Sequence, residues 1–420
     1  MNFDFSNLKL VGNEIPWLKD FRHQGQKFFI EKGIPSPKIE EWRYTKPSRY
    51  FNKDFVLSYG HTSLKKIEKK LPFDTYYICF ENGVFNPAIS DLPQGIELVP
   101  IIEAIMFKPG LRDKIGKLLQ ASAHSFTALN AACLNEGVYL HIDSNVNITK
   151  PIALVYHATP INQNEMFCLR NLIELDKNSS ASIVEYYNYE GAEKSEYFSN
   201  VVNEIYVAEN SSLNHYKVQD EAFKAFHVAH NAVDIKQSGS YKSFCLQRGA
   251  DMARNETLAY LSEEDAFAEV NSAYIMGGWA TLDTTNEIKH LSPNTKSSQL
   301  IKGVVSEQAK GVFQGKIHIA PNAIKTEGYQ LHKAMLLSDE AEIDVKPELE
   351  IFADDVKCSH GSACGELDKE QLFYMRSRGI KEEDAKQLLI DAYLNDVITK
   401  IDDEKIAEWI KSLLATSPRR

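Results

Sequence analysis

The chain has 420 residues, 43% of them hydrophobic and 10% aromatic, so it can bury a sizeable core and is not disordered. Its 58 acidic residues outweigh 47 Lys and Arg, giving a formal charge of -11, which repels phosphate backbones and excludes nucleic acid as a partner class. The length predicts two or three domains or one elongated repeat structure. Its six cysteines, without a C-x-x-C pair, read as reduced thiols. No stretch approaches the ~18 apolar residues that a membrane helix needs, and Met1 to Phe5 lacks a basic leader, so a soluble, cytoplasmic protein with no membrane association is expected.

Residues 1–135 read as a mostly helical domain with a little sheet. Trp17, Phe21, Phe28 and Phe29 keep helical spacing, as does the segment Ile101 to Leu119, and Tyr76 to Phe80 is strand-like. Turns are expected at Pro35–Pro37, Asn82-Gly83 and Pro87–Pro93.

Residues 136–365 change character. Short runs of Val, Ile, Tyr, Phe and Leu alternate with small polar turns, which predicts strands. The turns recur: aligned on Ser180, Ser212, Ser240 and Asp265, they stand 32, 28 and 25 residues apart. A strand, a small-residue corner and another strand at this period predict stacked coils of a β-solenoid. The competing antiparallel sandwich is disfavoured because Asn-Gly and Asp-Gly, the strongest two-residue hairpin signals, are absent here. A polysaccharide-active β-helix enzyme would present paired carboxylates, whereas Glu340, Glu342, Asp344, Glu348 and Glu350 alternate along one strand as a solvated face does.

Enzyme machinery is not apparent. Gly311 to Ile317 imitates a phosphate loop with one residue too few between its glycines and Ile317 where a hydroxyl belongs. Gly361-Ser362-Ala363-Cys364-Gly365 has Ala363 at the nucleophile position of an elbow. His227 and His230 would share a face only in a helix, and their surroundings read as strand, so they are expected to be structural. Cys358 and His360, two residues apart, leave the same face of an extended strand and can converge on one metal ion; the plainer reading is a buried thiol beside a hydrogen-bonded histidine.

Residues 366–420 return to helices. Asp368 is the expected N-cap, with Gln371 at capping-box spacing and Gly379 as the stop; further helices are expected from Lys381 to Ile398 and from Asp402 to about Leu414. Leu372, Phe373, Tyr374 and Met375 are too apolar for one narrow seam and need a partner, either the open end of the solenoid or another subunit.

The residues Val312-Phe313-Gln314-Gly315-Lys316-Ile317, Ala341 to Ile351, Ala353 to Gly361 and Leu372 to Ile380 carry a family resemblance. More thinly, so do Arg170-Asn171-Leu172, His215-Tyr216-Lys217, Asp283-Thr284-Thr285 and Glu40 to Thr45. Together they resemble the SufB/SufD family of iron–sulfur cluster assembly proteins, on its SufD branch through Lys357-Cys358-Ser359-His360-Gly361. The resemblance implies a right-handed parallel β-helix between helical flanks and a non-catalytic scaffold that pairs with a SufB-like paralogue and an ABC-type ATPase, SufC. It implies that Cys358 and His360 are interface ligands for transient iron or a nascent cluster, with no cofactor stably held by the lone chain, which is also open to pairing with itself. The C-terminal helix, with Leu372, Phe373, Tyr374, Arg376 and Arg378, is implied to dock the ATPase.

Overall fold

The computed structural model describes residues 3–60, 71–86, 92–159, 163–191 and 195–414. Part of the turn expected at Pro87–Pro93 falls outside them. Two ten-stranded sheets face each other, and the chain crosses from one to the other at every coil. Within the solenoid all pairing is parallel, as a stack of coils demands: Ser180, Ser212, Ser240, Phe267, Lys296, Glu327 and Lys357 are successive partners in one register, 27 to 32 residues apart.

One corner of each coil explains the repeat in the sequence. Asn145, Asn178, Asn210, Ser238, Asp265, Asn294 and Lys325 all hold φ between 53° and 64°. Short polar side chains tolerate that left-handed conformation best. Each corner N–H then reaches the next coil: Asn178 donates to Glu209 O, Asn210 to Gln237 O and Ser238 to Glu264 O, each at 3.0 Å. Asp265 is thus the counterpart of Ser238 rather than Ser240, and the last interval is 27 residues instead of the 25 read from the sequence.

Antiparallel pairing occurs only at the N-terminal end of the described strands. Tyr76–Glu81 turns back on Val84–Asn86 through Asn82 and Gly83, both at positive φ, and Ile96–Pro100 pairs with Val138–Ile142. Tyr76–Glu81 also lies parallel to Ile152–Ala158, so the N-terminal strands extend both sheets.

Each sheet has a second apolar face. The helices α1 (Pro16–Lys32), α2 (Ile101–Phe107) and α3 (Ser125–Ala132) belong to the N-terminal region, where Trp42, Phe51, Phe55 and Phe126 pack on Phe198, Phe226 and Met252 of the first sheet. The segment Glu40 to Thr45 is clamped there. Arg254 stacks under the Trp42 ring at 4.2 Å and donates to Glu41 O at 2.8 Å, Gln314 donates to the same carbonyl at 3.0 Å, and Thr45 donates to Asp283. The second sheet is covered by α5 (Glu382–Ile398) and α6 (Glu404–Leu414), whose Leu394, Val397, Ile406 and Trp409 pack on Tyr186, Phe244, Leu246 and Ile275. Helices α5 and α6 therefore bury a sheet face rather than cap the open end. Outward apolar residues on interior strands draw them there.

The solenoid interior holds neutral histidines. His290 lies between the Thr295 and Ser297 hydroxyls at 2.8 Å each, and His332 meets the Tyr274 hydroxyl at 2.8 Å. Burial pushes both imidazoles down to about 4, with the nearby His318 adding to the effect at His290. The unfolded chain takes up these protons near pH 6.5 and the folded one only near 4, so the stability that the two contribute is complete above pH 6.5 and is lost as pH falls through that window. Thermal melts should show the decline, on the order of 3 kcal/mol per histidine at pH 4, and His332→Gln should flatten it.

Candidate functional site

The last strands of the two sheets, Glu342–Ile351 and Val356–Glu366, lie at the same end and, among the described residues, have a partner on one side only. On the neighbouring strand Thr326–Leu336, Gln330, His332 and Ala334 are buried while Tyr329 and Leu331 are 42% and 36% exposed, so even-numbered residues face the interior. Register carries that parity onward: Gly328 pairs with Cys358, Gln330 with His360, and Ala334 with Cys364. Cys358, His360, Ser362 and Cys364 thus form the last row of interior-facing residues, at the open mouth.

Cys358 and His360 therefore do leave one face of an extended strand. Cys358 is half-buried against the cluster of Ile317, Ile319, Ala323 and Ala353, and burial pushes its thiol up, partly offset by the Gly328 backbone. His360 is exposed. Cys364 is exposed in the same row, but six residues along an extended strand put it about 20 Å from Cys358, too far to share one ion. Among the described residues no group of three or more His, Cys, Asp or Glu could hold a metal, so the two candidate ligands form an incomplete set.

The other sequence candidates resolve as follows. His227 faces the interior, 2.8 Å from Glu221 and 2.9 Å from Lys217, and His230 turns outward to Glu256 at 3.2 Å, opposite faces as strand geometry requires. Gly311 to Ile317 is extended within the strand Lys310–Ile319 and forms no loop. Glu348 and Glu350 sit in a charged outer face with Lys346 at 3.0 Å and Lys316 at 2.7 Å.

Beyond the mouth, α4 (Lys369–Ser377) starts at Asp368, whose carboxylate accepts from the N–H of Glu370 at 2.9 Å and of Gln371 at 3.1 Å, and stops at Gly379, at φ 86°. None of its residues is buried: Phe373 is 73% and Tyr374 59% exposed, Leu372 is half-buried, and Arg376 and Arg378 are exposed. Arg378 lies over the Tyr374 ring at 5.1 Å, and Arg376 reaches Glu382 at 3.2 Å. A shallow groove beside them is lined by Phe373, Tyr374, Met375 and Leu389. No helix of the described residues is long and apolar enough to cross a membrane.

A parallel solenoid with a thiol–imidazole pair at one open end and an exposed apolar helix beside it agrees with comparison to known families. Residues 158–393 match the SUF system FeS cluster assembly SufBD core domain, and residues 4–154 match the SufBD protein N-terminal region. The chain belongs to the SufBD family of iron–sulfur cluster assembly proteins. Within the family its similarity supports the SufD branch: it is 29% identical over 384 residues to the iron-sulfur cluster assembly protein SufD of Escherichia coli, covering 91% of this chain and 88% of that one. The Bacillus subtilis protein of the same name is 26% identical over 432 residues, covering 96% and 94%. An iron-sulfur cluster assembly SufBD family protein of Synechocystis is 30% identical over 390 residues, covering 88% and 84%.

Proposed function

We propose that this chain is a non-catalytic, cytoplasmic scaffold subunit of a SufBCD-type complex, which supports iron acquisition and cluster assembly together with a SufB-like paralogue and a SufC-like ATPase. The observation that carries this reading is the open mouth, where two strand edges at one end lack partners among the described residues and the Cys358–His360 row faces the interior. Unpaired edges are templates for strand addition. Thiolate and imidazole suit iron, and two of them from one chain make half a site, so iron or the growing cluster is cargo that needs ligands from a partner's edge.

Helix α4 supplies the second contact in this reading. Binding a helix into a groove concentrates energy in a few apolar anchors, and Phe373 is the most exposed large hydrophobic on α4. Phe373→Ala should weaken ATPase binding by about 2 kcal/mol or more, measured by titration calorimetry, while leaving the melting temperature unchanged because the ring is not buried in this chain. Retained affinity in that variant and in Tyr374→Ala would remove α4 from the interface.

The test of the whole reading is co-expression with the paralogue and ATPase, purification by a tag on this chain, and iron and sulfide analysis. A stable ternary complex carrying iron and sulfide is expected. Failure of this chain to retain either partner would refute the assignment.

A further inference from the structure

Behind the Cys358–His360 row lies a second row of interior-facing polar residues. Gln330 is the register partner of His360 on the neighbouring strand, and Gln299 is the register partner of Gln330 one coil further in. Neighbouring strands stand about 4.8 Å apart, so the three side chains rise side by side from one face. Gln330 is 3% exposed, and its Nε2 donates at 3.4 Å to Gly315 O of the opposite sheet. Gly315 makes that approach possible, since a Cβ there would collide with Nε2 and stand 2.5 Å from Cδ of Gln330. The amide is therefore pressed against bare backbone with its nitrogen committed.

The oxygen has no such anchor: Gln330 Oε1 is buried and finds no hydrogen-bond donor among the described residues. An orphaned acceptor in a protein interior is destabilising, and each one calls for a donor. Two candidates stand one strand spacing away. Gln299 accepts from Asn286 Nδ2 at 3.1 Å through its Oε1, and its own Nε2 is buried without a partner among the described residues. On the other side His360 carries a ring N–H and is exposed, so its imidazole has room to turn. A carbonyl oxygen has two lone pairs, enough for both neighbours. His332, two residues along the same strand, is held elsewhere, stacked on Phe313 at 5.0 Å and bonded to the Tyr274 hydroxyl.

We propose that Gln330 is the positioning residue of the half-site: its Oε1 accepts one ring N–H of His360, which fixes the imidazole tautomer and turns the other, unprotonated nitrogen toward the cargo iron. The proposal rests on the reading of His360 as a ligand. A histidine binds metal through the lone pair of one nitrogen, and the hydrogen bond made by the other nitrogen decides which one that is. Such a bond also orients the ring and raises its basicity.

The surroundings of Gln330 suit that part. Donation from Nε2 to Gly315 O polarises the amide and makes Oε1 a stronger acceptor. Gly328, the register partner of Cys358, has no side chain to offer, so within this row the positioning falls on the imidazole alone. An exposed histidine without an orienting bond would spread over rotamers and both tautomers, and binding iron would then cost that freedom.

The experiment has two readouts. Long-range nitrogen–proton spectra of the full chain, labelled on histidine, report the tautomer of His360, whose signals are those missing from His360→Ala. Expected is one tautomer in the unaltered chain, a mixture of both in Gln330→Leu, and one tautomer again in Gln330→Glu, which keeps an acceptor oxygen. Anaerobic equilibrium dialysis of the co-purified ternary complex against ferrous ion should show affinity about 10–100-fold weaker in Gln330→Leu and restored in Gln330→Glu. His360 signals that do not change in Gln330→Leu, full iron affinity in that variant, or failure of Gln330→Glu to restore either readout would overturn the proposal and leave the ligand reading standing. Unchanged iron affinity in His360→Ala would refute the ligand reading and this proposal with it.

Discussion

Arg170→Ala should lower the unfolding free energy by about 3–5 kcal/mol, read from urea denaturation, because it strands a buried carboxylate. Arg170 and Glu204 are each 1% exposed, and the guanidinium donates to Glu204 Oε2 from Nε at 3.0 Å and from Nη2 at 2.7 Å. It also donates to Leu119 O at 2.9 Å. Glu204 in turn accepts from the backbone N–H of Gly116 at 2.8 Å, Leu118 at 3.1 Å and Leu119 at 3.2 Å. The pair therefore holds the loop before α3 against the first sheet, and losing one member releases the loop as well as leaving a charge without its counterpart. A matched replacement, Arg170→Met with Glu204→Leu, should be less damaging than Arg170→Ala alone, since no buried charge remains. Equal losses in the single and the double variant would show that the loop contacts, not the charge pair, carry the stability.

The fold was legible in the sequence where backbone geometry restricts residue choice. Corners that need a left-handed residue favour Asn, Ser and Asp, and that preference printed the period on the chain. Aligning the corners on serine rather than on the left-handed position displaced Asp265 by two residues. The destination of the C-terminal helices was not legible. Strands covered on both faces read as continuous apolar runs, so Tyr186, Phe244 and Ile275 could not be told apart as outward residues awaiting α5 and α6. Short strands such as Ile96–Pro100 were hidden for another reason: five residues beside a helix leave too little periodicity to separate them from it. At the site, the shared face of Cys358 and His360 followed from spacing alone once the backbone was extended. Cys364 obeys the same parity, but a period of two says nothing of where a sheet ends, and only the register shows that this row closes the solenoid.

Cys358→Ser and His360→Ala should each abolish cluster loading of the co-purified complex while leaving this chain folded. Altering a residue that merely orients a metal ligand costs ~10–100-fold in affinity, so loss of a direct ligand from a site that draws only two from this chain should cost at least about tenfold. Stability should hardly respond. His360 is exposed, and Cys358 is half-buried, so a thiol-to-hydroxyl change there removes little apolar surface. In a chain longer than 250 residues, 1 kcal/mol moves the melting temperature by less than about 2–4 °C, and neither variant should exceed that. Cys364→Ser is the control within the row. It should load clusters normally, because Cys364 lies about 20 Å from Cys358 along the strand. Full loading in both Cys358→Ser and His360→Ala would reduce the pair to structural residues, and a drop of 10 °C or more, of order several kcal/mol, would assign them to the fold.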